Sequence, residues 1–387
     1  CNELTRVSIP ESLISIGYNA FSGCDNLREA ICPAFSISFL PKTQLTIVTI
    51  SSGRIDYSMF EDCIELENVT IGDDVTFIGR SAFYNCYKLK SVVWNAENCI
   101  SAGSFDFPIF SGCSNLIDLT IGENVKIIPS CAFYSSKIIN LIIGKNVTSI
   151  GERAFAGCNK LTNITIPDSV LSIDNYAFSD CNELTNLIIG NNVTSIGERA
   201  FAGCNKLTNI TIPDSVISIS DYAFSDCIGL TNVIIGNSVT SIGAGAFSSC
   251  IELKSIIIPV CVTSIGDSAF YKCKGLSNIL WDAENCTSAG SSDCPIFYGC
   301  PITSLTIGET VKTVPSYAFY DCSNFINVEI SASVSYIGNY VFYGGLFSKI
   351  TFKGTTMQWY KISKGNDWRY SANRTCTIYC TDGNIYI

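Results

Sequence analysis

Histidine is absent from all 387 residues. Without an imidazole there is no Ser-His-Asp or Cys-His nucleophile pair, no histidine-ligated zinc and no imidazole pH switch. Bases are also short: Lys and Arg number 24 against 34 for Asp and Glu, so the net charge is 24 − 34 = −10. A basic face of the kind that nucleic acid or an anionic membrane needs is therefore not expected. No apolar run approaches the roughly 18 residues of a spanning helix. The longest, around Ile256–Ile258, stops at Pro259. Yet 47% of the chain is hydrophobic, and those residues must be buried in some other way.

Self-similarity supplies the way. IGERAFAGC at Ile150–Cys158 returns unchanged at Ile196–Cys204, and NKLTNITIPDSV at Asn159–Val170 returns at Asn205–Val216. Both repeats lie 46 residues apart (196 − 150 = 46), and each block is two units of 23. Aligned on a leucine-like position, sixteen units run from Leu4 through Leu161, Leu184 and Leu207 to Phe347. A period of this length means a solenoid, in which each unit buries its apolar edges only by stacking on its neighbours. Ile164 and Ile166 flank Thr165, the two-residue period of a strand with one buried face. Pro167-Asp168 is a turn signal, and the proline interrupts hydrogen bonding. Val170 and Ile173 make a second short extended segment, and Tyr176-Ala177-Phe178 to Cys181 reads as one helical or 3₁₀ turn. The expected fold is a mainly β right-handed curved superhelix with a parallel concave sheet of about fifteen strands. The solenoid should occupy residues 1–352 and a C-terminal cap residues 353–387. Residue 1 falls at the repeat cysteine, so the first coil is expected to be incomplete and any export signal to lie upstream.

The unit L-x-x-I-x-I-P-x-S-V-x-S-I-G-x-x-A-F-x-x-C resembles the BspA-like, or Treponema-type, leucine-rich repeat. Thr356-Met357-Gln358-Trp359, Gly365, Trp368 and Cys380-Thr381-Asp382-Gly383 resemble the capping segment of its bacterial members. The resemblance implies a secreted or cell-surface protein, adhesin-like, with a protein or cell-surface glycan as partner. It implies no shared active site, so no catalytic residues and no cofactor are expected. The chain departs from the pattern in places. The unit at Leu27 has 45 − 27 = 18 residues. Those holding Trp94 and Trp281 are lengthened to 116 − 89 = 27 and 302 − 276 = 26, each with an Ala-Glu-Asn-Cys insertion.

Cysteine is abundant, at 21 residues. Thirteen share one register, from Cys1 and Cys24 to Cys322, where a small apolar thiol fits a closing turn. Cβ vectors running parallel from rung to rung do not suit disulfide torsions, and Ser136 stands in the same register. No Cys-x-x-Cys pair occurs, so no metal site is expected. Pairing among Cys99, Cys131, Cys261, Cys286, Cys294, Cys376 and Cys380 is left open. A solvated turn position, repeated each coil, accounts for Asp168, Asp180 and Asp214.

Two rows flank the buried isoleucines of the concave sheet. One carries Asn163, Asn186, Asn209 and Asn232, whose stacked amides could bond one another or bind glycan or peptide. The other is mostly threonine but holds Ile188, Ile234, Ile257 and Leu280. A run of apolar side chains facing water marks an interface, with a partner or with a second copy of the chain. The candidate binding residues are therefore Ile188, Ile234, Ile257, Leu280, Asn186, Asn209 and Asn232. A structural spacer displaying another domain is the competing reading. Trp359, Tyr360, Trp368 and Tyr370 could make an aromatic carbohydrate platform instead of packing as a cap.

Overall fold

A computed structural model describes residues 1–370 and 375–387, which form two compact units, Cys1–Gly190 and Asn191–Ile387. The expected cap includes residues 371–374, which lie outside the described part. Both units are built of coils of a parallel β-solenoid. In the first, Asn163–Thr165 pairs in parallel with Asn186–Ile188, Asn163 facing Asn186. In the second, Asn209–Thr211 pairs with Asn232–Ile234 in the same way. Ile164 and Ile166 are buried while Asn163 and Thr165 face solvent, so the two-residue period sets the register. A second ladder of two-residue strands stacks Ser149-Ile150 on Ser172-Ile173 in the first unit. Ser218-Ile219, Ser241-Ile242 and Ser264-Ile265 do the same in the second.

The main sheet is not one continuous ladder of fifteen strands. The first unit has seven strands, from Arg6–Ser8 to Asn140–Ile142, and then the separate pair. The second has a pair and then seven strands, from Ser255–Ile258 to Gly383–Tyr386. The breaks follow the prolines. The Asp282 N–H donates to Ile258 O at 2.9 Å and Asn95 to Ile71 O at 2.8 Å. Pro167 and Pro259 occupy that register without an N–H, and the ladder stops there.

The third edge also differs from the expected helical turn. Arg153, Phe155 and Gly157 donate to the Asn175, Ala177 and Ser179 carbonyls of the next coil at 3.0, 2.8 and 2.8 Å. The residues between them close i−3 turns, as Ala154 does on Gly151 at 3.1 Å. This alternation puts two residues per coil in the left-handed region, here Arg153 (φ 53°) and Gly157 (φ 73°). A further hydrogen-bonded ladder therefore replaces a helix.

Inside this edge the phenylalanines stack. From Phe60 to Phe178 the centroids lie 4.8–5.9 Å apart with planes within 14°. From Phe201 to Phe342 the spacing is 5.3–5.8 Å. The lengthened coils make room for Trp94 and Trp281, both fully buried and edge-on to Phe133 and Phe319. The register cysteines from Cys24 to Cys322 are buried thiols, and Cys1 is exposed. Cys32, Cys99, Cys286 and Cys376 are also buried thiols, Cys261 is exposed, and Cys131, Cys294 and Cys380 are half-buried.

In the C-terminal segment, helix Thr356–Lys361 opens with a capping box between Thr355 and Gln358. Trp359 is buried edge-on against Phe352 at 5.2 Å and Trp368 at 6.0 Å, so it offers no open platform. Phe342 N–H donates to Trp368 O at 2.7 Å, which extends the turn-edge ladder beyond the last full repeat.

Candidate binding face

On the sheet of the second unit, Ile234 and Ile257 are 53% and 54% exposed. An isoleucine left that open forgoes about half of the roughly 2 kcal/mol its full burial would supply. Ile257 pairs with Leu280, and Leu280 with Thr306. Leu280 is half-buried rather than fully exposed. Ile234 lies on the far side of the Pro259 break, so its strand does not pair with that of Ile257. In the first unit Ile188 is 51% exposed and pairs with Thr165, and Ile142, paired with Thr120, is also open.

The asparagine row does not form a ladder of stacked amides. Asn163, Asn209 and Asn278 turn sideways and donate to the hydroxyl of the residue before, Thr162, Thr208 and Ser277, at 2.8, 2.9 and 2.9 Å. Asn140 reaches across one coil, to Asp118 Oδ1 at 2.7 Å. The hydroxyls themselves bridge coils: Thr231 donates to Thr208 O at 2.9 Å and Thr185 to Thr162 O at 3.1 Å. For Asn163, Asn209 and Asn278 the hydroxyl of the preceding residue is the acceptor, and these three amides are held along their own strands. Asn186, Asn209 and Asn232 all face solvent. The turn acids bridge too: Asp214 Oδ1 accepts from Asn237 N–H at 2.7 Å, a structural role where solvation was expected.

Beside Leu280 the face sinks into a depression of about 480 Å³. Its walls include Asp282, Thr306, Glu309, Glu329 and Lys353. Glu329 and Lys353 are ion-paired at 3.0 Å, and burial pushes the Asp282 carboxyl above its ordinary range. Gly308 leaves room for that carboxylate, since a Cβ there would meet Asp282 Oδ1. The result is an apolar strip ending at a mainly acidic hollow with one paired base. Of the hollow, Leu280 was legible as an apolar member of the threonine row. Asp282 and Lys353 were not, although each follows a strand whose register fixes its place.

Among the described residues no group of three or more Cys, Asp or Glu is placed to hold a metal ion. Nor is any helix there long and apolar enough to cross a membrane.

Comparison with known proteins bears on the repeats that build this face. No curated protein matches the sequence. Among solved structures, a leucine-rich repeat protein from Bacteroides ovatus is 25% identical, covering 78% of this chain and 91% of its own, with a TM-score of 0.54. A leucine rich cell surface protein from Faecalibacterium prausnitzii is 24% identical over 93% of this chain and 90% of its own, at a TM-score of 0.36. A leucine-rich repeat protein from Eubacterium ventriosum is 21% identical over 85% and 92%, at 0.42. The model of the BspA type leucine rich repeat region matches in six copies spread over residues 1–362. The chain belongs to the BspA-type leucine-rich repeat family.

Proposed function

We propose that this chain is a non-enzymatic binding protein, secreted or held at a cell surface, that engages a partner protein through the sheet face of its second unit. The observation that carries this reading is the strip Ile234, Ile257 and Leu280, apolar where neighbouring rungs carry threonine and open to solvent at its first two members. Apolar side chains on neighbouring coils with a polar border are the usual composition of an interface core. Asn209 and Asn232 supply that border, and the hollow beyond Leu280 would receive a polar or basic group of the partner. Ile188 and Asn186 present the same pair of residue types on the first unit.

The test compares adhesion of the wild-type chain and of I234T/I257T/L280T to cultured epithelial monolayers, with thermal unfolding run on both. Loss of adhesion by a triple variant that still unfolds cooperatively, with its midpoint lowered by no more than about 4 °C, supports the reading, since anchors of this kind are worth more than about 1 kcal/mol each. Equal adhesion by the two chains overturns it and favours a spacer that displays another domain. A wild-type dimer that the triple variant turns into a monomer would assign the face to self-association.

A further inference from the structure

The two lengthened coils are near copies of each other, and their differences outline a binding site. Trp94–Cys113 and Trp281–Cys300 align without a gap. Their backbones are bonded alike: Phe83 N–H donates to Ile109 O at 3.0 Å, and Phe270 N–H to Ile296 O at 2.9 Å. In the first copy the inserted loop carries Phe105, which packs on Tyr134 of the following coil with centroids 5.0 Å apart. The Arg153 guanidinium, one coil further, lies 5.6 Å over the Phe105 ring. That coil therefore contains its own aromatic group and its own cation, seated on a tyrosine.

The second copy keeps the tyrosine and loses both occupants. Ser292 stands where the first copy has Phe105, Tyr320 matches Tyr134, and Tyr340 replaces Arg153. Asp321 replaces Ser135, which adds a negative charge. A pocket of about 350 Å³ opens at this place, lined by Ser292, Asp293, Tyr298, Tyr320 and Asp321. The tyrosine stack is interrupted here as well. Tyr271 stacks on Tyr298 at 5.7 Å and Tyr320 on Tyr343 at 5.1 Å, but among the described residues no ring contact joins Tyr298 to Tyr320. Burial, together with Tyr343 and the Asp321 and Asp293 carboxylates, raises the Tyr320 phenol above its ordinary value, as expected in a negative field. Lys272 is turned to Tyr271, 4.8 Å from that ring.

We infer that the slot between Tyr298 and Tyr320 binds an aromatic side chain flanked by a positive charge, a Phe or Tyr beside Lys or Arg on a partner protein. The ring takes the place that Phe105 fills in the first copy, seated against Tyr320. The flanking cation takes the place of Arg153, between the ring faces and the Asp293 and Asp321 carboxylates. This site lies on the turn edge of the coils and is independent of the sheet face.

The probe is the amidated, acetylated peptide Gly-Lys-Phe-Lys-Gly carrying 4-fluorophenylalanine, titrated into the full chain and followed by fluorine NMR. Saturable binding is expected, roughly ten-fold weaker when Leu replaces the ring or Gln the lysines. Ser292→Phe should abolish binding while leaving the thermal midpoint equal or higher, because it restores the packing of the first copy. Asp321→Ser, which restores the residue type of the first copy, should weaken binding roughly ten-fold and guards against a misfolded S292F. Absence of saturation up to about 10 mM, or binding that S292F leaves untouched, overturns the assignment. Saturable binding of methyl β-galactoside, lost in S292F, with none of the peptide, would overturn it in favour of a sugar site.

Discussion

The Cys158 thiol donates to the Phe133 carbonyl of the preceding coil at 3.2 Å, and the same carbonyl accepts the Ser136 backbone N–H at 3.1 Å. The contact repeats along the register, from Cys86 to Phe60 at 3.2 Å, Cys113 to Phe83 at 3.0 Å and Cys273 to Phe247 at 3.1 Å. Cysteine therefore does two jobs here, filling apolar space and satisfying the second lone pair of a buried carbonyl. Ser136 stands in this register, buried, and its hydroxyl has no partner. The C–O bond is shorter than C–S, and the hydroxyl falls short of the carbonyl that a thiol reaches. Ser136→Cys should raise stability by about 1 kcal/mol, and Cys250→Ser should lower it by about 1–3 kcal/mol. Urea midpoints at a constant slope decide the matter. An S136C chain that unfolds earlier than wild type would show that the carbonyl is not the reason for the cysteines.

The same thiols set the behaviour in alkali. Burial pushes Cys63, Cys158 and Cys227 up to about 12 and lifts Cys181 and Cys322 well above the ordinary value. In the unfolded chain a thiol titrates near 8.5. Between about pH 9 and 12 the unfolded state thus holds fewer protons than the folded one, and stability falls as pH rises. Below that window the contribution is fully present. Each such thiol steepens the fall by up to about 1.4 kcal/mol per pH unit. With no histidine, the thermal midpoint should be nearly flat from about pH 6 to 8 and then drop sharply above about 9. C158A/C227A should flatten that drop, and a wild-type midpoint unchanged to about pH 11 would contradict the argument.

Much of the fold was legible because a repeat states its pattern many times. One reading of Ile164, Ile166, Val170 and Ile173 predicts every other coil, and their burial agrees with it. The ladder breaks were foreshadowed by Pro167 and Pro259, although a long continuous sheet was expected. The turn edge was misjudged because its conformation depends on hydrogen bonds to the next coil, such as Phe155 to Ala177. A linear motif does not carry that information. The apolar rung residues Ile234 and Ile257 were found from a broken threonine row. The slot at Tyr320 was not, since it exists only where Phe105 in one copy meets Ser292 in the other.

The turn edge yields its own test. Asp226 has φ 56° and faces solvent, whereas Gly203 holds the same register at φ 73°. An aspartate in the left-handed region carries a steric cost that glycine does not. Asp226→Gly should leave stability unchanged or raise it by up to about 1 kcal/mol, despite the added freedom of the unfolded chain. Alanine at the same position should be the less stable of the two variants. If D226A and D226G unfold at the same urea concentration, the left-handed geometry is not costing the chain anything.

The sheet face makes the opposite kind of prediction, one of indifference. Ile234 and Ile257 sit between buried rungs, Val233 with Ile235 and Ile256 with Ile258, so a strand period already fixes them as outward. Threonine occupies the position paired with Ile234, at Thr211, and the one paired with Leu280, at Thr306, and its β-branch suits a strand as well as that of isoleucine. Replacing Ile234 and Ile257 with threonine should therefore shift stability by no more than about 0.5 kcal/mol. Leu280, half-buried beside the hollow, should cost about 1 kcal/mol when it too is changed. Dye binding to exposed apolar surface should fall in the double variant and fall further in the triple. A loss of several kcal/mol from the double change would mean that these side chains face the core, and the register deduced for the whole sheet would be wrong by one residue.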